Sequence, residues 1–395
     1  MSHPSAIAPR KISRTRELLV QNIDDEARSL DAFTLLAGAP AQHSNSAAAV
    51  AIALFNDRRV KTEAIVAAAS QRLAGRRPQL HTFVPLYTTN YCDSECKMCA
   101  MRVGNRKLVR EFAGRRAIEE QLDILYNDEH VRGVGFLTGE YRDKFSRLAS
   151  AFRIGWAMRT ALDRGFRRVY FNIGSMERDE IDVLADWVSP NEPVTMCVFQ
   201  ETSDRTTYAR FMGTGDAYPK SDFDRRYHSF DHWLDAGFRD VNLGALVGLC
   251  DDPTIEIANL LSHVSSLAAI GAVVEISMPR LRPAFAARKG SRVSDDQYLR
   301  TLAAVAFACP EQRLVLTTRE SEEFQQRAID LCGVFSPGSP DVTPYQRFAQ
   351  ARNDVATSQF AIADTRRPRE ILADLESSGR PVANFEMSSA EAAVA

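Results

Sequence analysis

The sequence has no apolar run long enough to cross a bilayer. Its most hydrophobic stretch, Ala47–Phe55, falls well short of the roughly 20 residues that a spanning helix requires. The first fourteen residues are basic and Ser-rich but lack the apolar core of a secretory signal, and read as a loose tail. Neither sign of charge dominates: the net charge of −2 argues against a dedicated nucleic-acid surface. A disulfide framework is absent too. The seven Cys are an odd number and three crowd into one stretch, which favours a reducing compartment and a metal role. No Pro- or Gly-rich linker and no internal repeat divides the chain. What remains is a globular protein of 395 residues, 45% hydrophobic and 25% charged, with core enough for one large barrel domain. It is expected in the cytoplasm, with no membrane or nucleic-acid partner.

The strongest chemical signal is the stretch Tyr87–Arg102 (YTTNYCDSECKMCAMR), where Cys92, Cys96 and Cys99 follow an apolar strand-like segment as CxxxCxxC. One short loop with this spacing can wrap an inorganic cluster. Three thiolates can hold three irons of a cubane, and with no fourth Cys nearby the fourth iron stays open to a small chelating ligand. Two plainer readings stand beside it. A zinc site closes with four nitrogen or sulfur ligands and would need a distant one, because none of the seven His lies in the loop. Alternatively, the thiols are incidental.

From about Thr15 to Gly75 the pattern is helical, with Ser44–Ser46 as caps before Ala47–Phe55 and Thr62 before Ala64–Leu73. Residues 1–78 are therefore expected to form a tail and an N-terminal helical extension. Strands are expected at Leu80–Tyr87, Val134–Leu137, Arg168–Ile173, Val194–Phe199, Asp240–Leu246, Ala272–Met278, Leu314–Thr317 and Gly333–Ser336, each separated by a helix-length segment. Near-continuous hydrophobic strands of this kind indicate a parallel sheet covered on both faces. Eight units over residues 79–345 predict an α/β fold, a closed (βα)8 TIM-type barrel. Residues 346–395 are expected to pack on the barrel as one more helix, Pro368–Ser378, and a frayed Ala-rich end.

In such barrels the chemistry gathers at the carboxyl ends of the strands. Those positions hold the three Cys, then Thr138-Gly139-Glu140, Asn172 with Gly174 and Ser175, and Gln200-Glu201-Thr202. Later strands end in Gly244 and Gly248, Arg280 and Arg282, Thr317–Glu320, and Ser336 with Ser339. Gly139 would let the backbone approach a ligand closely, and Glu140 could accept from a cationic amine. Arg280, Arg282 and Arg319 offer fixed forks for a carboxylate. The plainer reading of Arg280 or Arg282 is a structural ion pair with Glu201 or Glu320. Thr317 and Thr318 read more readily as caps of the next helix. The basic run Arg102–Arg116 is expected to be a solvated face, with Val103, Leu108, Val109 and Phe112 as a packing stripe. Cys197, Cys250, Cys309 and Cys332 are scattered and expected to be buried or inert.

Taken in order, these segments resemble the aromatic amino-acid lyases among the radical S-adenosylmethionine enzymes. The carriers are VPLYTTNYC (Val84–Cys92), LTGE (Leu137–Glu140), FQET (Phe199–Thr202), KSDFDRR (Lys220–Arg226), LGALVGL (Leu243–Leu249), ISMPRLRPA (Ile276–Ala284), LTTRES (Leu316–Ser321) and DTRRP (Asp364–Pro368). The resemblance runs from about Phe83 to Phe385. It implies a [4Fe–4S] cluster on Cys92, Cys96 and Cys99, with S-adenosyl-L-methionine on its open iron. It places Tyr91, Met98, Gly139, Glu140, Asn172, Ser175, Gln200 and Glu201 around the cosubstrate, Gly139 and Glu140 at its amine and Gln200 and Glu201 near its ribose. Arg280, Arg282 or Arg319 would hold the substrate carboxylate. The implied reaction starts with a 5′-deoxyadenosyl radical that takes hydrogen from the amino group of a free, aromatic amino acid. The side-chain bond then breaks, which for tyrosine yields 2-iminoacetate and p-cresol. An electron donor of flavodoxin or ferredoxin type and a biosynthetic partner enzyme are the implied partners.

Some positions depart from the family pattern. Met98 and Ala100-Met101 stand where it has an aromatic residue and Gly-Phe. Ser203 and Val342–Tyr345 differ on what is expected to be the substrate side, which leaves tryptophan or another amino acid of specialised metabolism as an alternative. A zinc-bound or RNA-binding Cys-cluster protein is the reading from another class. Colour separates the two, since a [4Fe–4S] protein made without air is brown and a zinc protein colourless.

Overall fold

The computed structural model describes residues 20–37, 46–288 and 292–386, so the expected loose tail and the Ala-rich end fall outside the described residues. In the N-terminal extension, Ser46 caps the helix Ala47–Asn56, its hydroxyl accepting from the Ala49 N–H at 3.1 Å. This helix and Thr62–Leu73 both pack on the barrel helix Asp295–Ala308. The last carbonyls of a helix lack intrahelical partners and carry its negative end. Here the buried Arg300 meets them, donating to the carbonyls of Leu54, Phe55, Asp57 and Val60 at 2.6–2.8 Å. One guanidinium thereby locks the extension onto the barrel.

The strands are β1 (Leu80–Thr82), β2 (Val84–Tyr87), β3 (Gly133–Leu137), β4 (Arg168–Asn172), β5 (Val194–Glu201), β6 (Asp240–Ala245), β7 (Val273–Ser277), β8 (Arg313–Thr317), β9 (Val334–Ser336) and β10 (Val382–Ala383). They pair in parallel in the order β10-β1-β9-β8-β7-β6-β5-β4-β3-β2. All eight expected strands are present, and the first is split at Phe83. His81 pairs with Val334 of β9, whereas Val84 pairs with Val134 of β3. The two ends of the sheet thus meet on one continuous stretch of chain, and the sheet curls into a TIM-type barrel. Close backbone approach marks the join: a Cβ on Gly133 would lie 2.1 Å from the Thr82 carbonyl oxygen. Phe83 stacks on Tyr170 with ring centroids 3.9 Å apart. Toward the amino ends of the strands, Arg168 bonds to Asp240 and Glu275 at 3.1 Å each, a polar plug under the aromatic core.

Two features after residue 345 were not expected. The helix Pro368–Ser377 is present, and the chain beyond it returns as β10, Val382 pairing with Leu80. Residues 346–364 form no helix. They run across the carboxyl-end loops, held by N–H···O bonds from Val109 to Ala356 (2.8 Å), Ala100 to Gln359 (3.2 Å), Ala361 to Pro283 (2.8 Å) and Ala363 to Thr318 (3.0 Å). No helix among the described residues is long and apolar enough to cross a membrane.

Candidate active site

The Cys loop is tied at its rim before any ligand is considered. The Asn90 amide donates to the Val109 and Thr357 carbonyls at 2.8 and 3.0 Å and accepts from the Glu111 N–H at 2.7 Å. Inside the loop, Val103 N–H bonds to the Ser94 carbonyl and Cys99 N–H to that of Cys96, each at 2.9 Å. The loop thereby turns Cys92, Cys96 and Cys99 into one cavity at the barrel mouth, shared with Met98, Gly139, Glu140, Asn172 and Glu201.

Gly139 is the closest approach in this wall. A Cβ there would fall 2.1 Å from the Tyr91 carbonyl oxygen and 2.5 Å from Cys92 Cβ, so only glycine fits. The backbone N–H groups of Glu140 and Ser94 each donate to Cys92 Sγ at 3.4 Å. The Glu140 carboxylate has two unequal oxygens. Oε1 accepts from the Ser175 N–H at 3.0 Å and from the Arg226 guanidinium, while Oε2 is buried without a partner. An orphaned carboxylate oxygen is costly unless a donor arrives, and an ammonium group is a fitting one.

Glu201 is aimed by a β-bulge where the β5–β6 register shifts, with its backbone at φ 67°. That left-handed conformation is strained for a residue other than glycine. Its carboxylate pairs with Lys220. Burial opposes the Glu201 charge, but Lys220, Arg226 and Arg319 outweigh it and hold the carboxyl below its ordinary range. Lys220 is anchored in turn by its own N–H, which donates to Ser94 Oγ in the Cys loop at 3.0 Å.

The thiols fit the group implied for them. Burial pushes Cys92 up to about 11 and raises Cys96 and Cys99 as well. Such thiols ionise only against a compensating positive centre, which iron supplies. Three thiols and one spare carboxylate oxygen on a single wall match a cluster with an open iron and an amine-bearing ligand.

A second cavity lies deeper in the barrel, enclosing about 740 Å³ including its mouth. Its wall is largely aromatic, with Phe83, Phe136, Tyr170, Phe171 and Phe199, relieved by Ser277, Thr317 and Ser336. It shares Tyr87, Leu137, Asn172, Arg319 and Phe360 with the outer cavity. Arg319 at this junction lies over the Phe360 ring at 3.5 Å and has no carboxylate partner among the described residues. Arg282 lines the outer cavity, also without an acid. Arg280 differs. It is buried, bonds to Glu320 and to Asp295 (2.6 Å), and lies on neither wall, so the geometry is that of the structural ion pair.

Other expected residues stand behind the walls. Gln200 donates to the Phe223 carbonyl at 3.2 Å, and Ser175 supports Glu140 from behind. Tyr91 is 48% exposed and reaches the site only through its carbonyl against Gly139. Met98, by contrast, lines the outer cavity and is backed by an apolar nest of Tyr208, Phe211 and Phe223. Three expectations need correction. Ser321 caps the helix Glu322–Ala328, while Thr318 is bonded to Gly338 instead. Of the supposed packing stripe only Leu108 is buried; Val103, Val109 and Phe112 are 45%, 53% and 61% exposed, because no element covers that rim. Ser203 and Val342–Tyr345 line neither of the two cavities: Ser203 N–H bonds to Glu256, and Tyr345 is buried with its hydroxyl on the Pro85 carbonyl. Lys220, Arg226, Gln359 and Phe360 were missed, although KSDFDRR carried the first two in plain view.

A curled parallel barrel with this thiol loop at its first strand end is the arrangement expected of a radical S-adenosylmethionine enzyme. The Biotin and Thiamin Synthesis associated domain family matches residues 277–380. The 2-iminoacetate synthase of Escherichia coli (strain K12) is 28% identical over 324 residues, 78% of this chain and 79% of that protein. Its counterpart from Salmonella typhimurium (strain LT2) is 26% identical over 333 residues, 80% of each. The crystal structure of HydG, an FeFe-hydrogenase maturase, superposes with a TM-score of 0.78 at 25% identity, covering 94% of this chain and 80% of HydG. Methylornithine synthase shares the fold, with a TM-score of 0.66 at 14% identity over 89% of this chain and 97% of its own. The chain is homologous to 2-iminoacetate synthase, and that homology supports an enzyme of this kind.

Proposed function

We propose that the enzyme fragments a free aromatic amino acid at the bond between Cα and its side chain, with tyrosine, giving 2-iminoacetate and p-cresol, as the first substrate. Two connected cavities carry this reading: one walled by three thiols and a spare carboxylate oxygen, the other by aromatic rings, with the unpaired Arg319 guanidinium where they meet. When bound, the cluster and its cosubstrate supply a 5′-deoxyadenosyl radical.

The chain's own residues do the holding. Cys92, Cys96 and Cys99 ligate the iron, the first with two backbone N–H groups on its sulfur. Glu140 Oε2 accepts from the methionyl ammonium, its carboxylate fixed by Arg226 and Ser175. Met98 offers an apolar contact to the adenine, and Asn172 and Glu201 face the ribose. Arg319 takes the substrate carboxylate as a fork, with Arg282 as a second cation. This leaves the substrate amine toward the thiol-lined cavity and its ring in the inner one, where the aromatic wall excludes water. Arg280, Gln200 and Tyr91 act from behind by holding loops. The hydroxyls of Ser277, Thr317 and Ser336 are partners for a phenol, and they accept equally from an indole N–H, so tryptophan is the second substrate to try.

Electrons enter, in this reading, from a flavodoxin- or ferredoxin-type carrier in the cytoplasm. It docks on the rim of the Cys loop, where exposed Val103, Val109 and Phe112 alternate with Arg106 and Lys107, both exposed and without an acid partner among the described residues. A small acidic carrier complements that mixture. An imine product hydrolyses in water, so a biosynthetic partner enzyme that receives it belongs to the same reading.

The test is anaerobic reconstitution with S-adenosylmethionine, dithionite and each aromatic amino acid in turn, with products read by mass spectrometry. Tyrosine-dependent 5′-deoxyadenosine and p-cresol support the proposal. If no aromatic amino acid raises cofactor cleavage above the uncoupled rate, the substrate assignment is wrong.

A further inference from the structure

The side-chain amide of Gln359 lies between the Cys loop and the barrel wall, and its two ends are used differently. Its Oε1 accepts from the Tyr87 hydroxyl at 2.6 Å, and its Nε2 lies 3.6 Å from Cys99 Sγ, within hydrogen-bond reach of sulfur. The Tyr87 bond fixes which end faces the sulfur: an oxygen that accepts from the phenol leaves the NH2 for Cys99. The backbone is pinned as well, since the Gln359 carbonyl accepts from the Ala100 N–H at 3.2 Å. Among the described residues this is the one side chain that donates to any of the three thiols; Cys92 is served by backbone N–H groups alone.

We propose that Gln359 is a positioning residue that sets the reduction potential of the cluster, through an N–H···S bond to the Cys99 ligand. The proposal rests on Cys92, Cys96 and Cys99 being the cluster ligands, and adds a residue from outside the barrel strands. A donor on a thiolate draws electron density from the iron–sulfur unit. It favours the reduced, more negative state, so the potential rises. Backbone donors are fixed by the loop geometry, whereas a glutamine can be replaced, which makes this position the adjustable one. Phe360, the next residue, lies over Arg319, so the same segment also walls the substrate junction.

The experiment compares the parent with Gln359→Leu and Gln359→Glu, each reconstituted without air. Iron and sulfide are counted first, and the midpoint potential is then read by redox titration followed by electron paramagnetic resonance, without substrate. The expected result is a full cluster in each variant and a midpoint shifted to more negative potential, further for Gln359→Glu because its carboxylate sets an anion at the sulfur. Variant clusters with the parent's midpoint, whatever their iron content, overturn the proposal. Should neither variant hold iron, Tyr87→Phe decides, because it removes the bond that turns the amide NH2 toward Cys99. A negative shift there supports the proposal and an unchanged midpoint overturns it. A parent protein that takes up no iron sinks the cluster reading and this inference with it, an outcome told apart at the first step.

Discussion

Arg226 donates to Glu140 Oε1 across 86 residues of sequence, and the two buried side chains leave Glu140 Oε2 with no partner. A buried charge stripped of its partner is the expensive half of an ion pair. Arg226→Met is therefore expected to cost about 3–5 kcal/mol of stability. Adding Glu140→Gln to that variant removes the uncompensated charge and should recover a large part of the loss. Urea unfolding of the single and double variants checks this. Equal stabilities would mean that the pair is not what holds this wall. Glu140→Gln alone leaves the buried Arg226 cation without its paired acid, so it too should lose stability. Among folded molecules it should weaken S-adenosylmethionine binding to the cluster-loaded protein, read by calorimetry.

Arg280 and Arg319 are the same residue type at adjacent strand ends, and the structure separates their work. Glu320 is next to Arg319 in sequence but pairs with Arg280, leaving Arg319 on the cavity junction with only Phe360 beneath it. Arg319→Met is expected to raise KM for the amino acid by the equivalent of about 2–4 kcal/mol while leaving the melting temperature near the parent's. Arg280→Met should do the reverse, lowering stability by about 3–5 kcal/mol with little change in KM among molecules still folded. Thermal melts and steady-state kinetics on both variants settle the assignment. A normal KM in Arg319→Met would move the carboxylate to Arg282.

That separation also marks what could be read in advance. The eight strands were legible because β-branched and aromatic runs between helix-length segments have few alternatives in an α/β chain. The Cys loop was legible because its spacing is local. The split at Phe83 was not, since alternation along Leu80–Tyr87 is the same whether one neighbour or two flank the strand. Lys220 and Arg226 look like surface charge in a polar loop, and only the acids brought by β5 and by the loop after β3 make them interior residues. Gln359 sits in a stretch with no periodicity at all, placed over the site by backbone bonds to three separate loops. Which arginine is free and which is paired depends on contacts that spacing along the chain does not record.

Docking of an acidic carrier on the Cys-loop rim predicts a selective defect. Arg106→Glu with Lys107→Glu reverses two exposed charges that have no acid partner among the described residues. Turnover driven by dithionite should stay at the parent rate. Turnover driven by a reduced flavodoxin should slow by about tenfold or more at low salt, with the difference shrinking as salt screens the encounter. Parallel assays with the two reductants check this. Equal slowing with both would point to damage at the loop, and no slowing with the protein donor would place its dock elsewhere.

Glu256 carries a pH prediction about the segment that follows Glu201. It lies buried under Thr202 and Ser203, accepting from the Thr202 hydroxyl and from the Ser203 N–H at 3.1 Å. Burial pushes its carboxyl up to about 7 from the ordinary 4.5, and these donors only partly offset that. A folded-state value above the unfolded one means that the native state binds more protons between the two. Stability is then greatest below about 4.5 and falls as pH rises through 7. The loss attributable to this one group is roughly 3 kcal/mol, from the size of the shift. Glu256→Gln cannot ionise and keeps a hydrogen-bonding head in the same space, so it should show a smaller fall than the parent between pH 5 and pH 8. Urea unfolding of both proteins at the two pH values makes the comparison, and subtracting one from the other cancels every other titrating group. Identical falls would show that Glu256 is ionised throughout, with water reaching the back of the loop that carries Glu201.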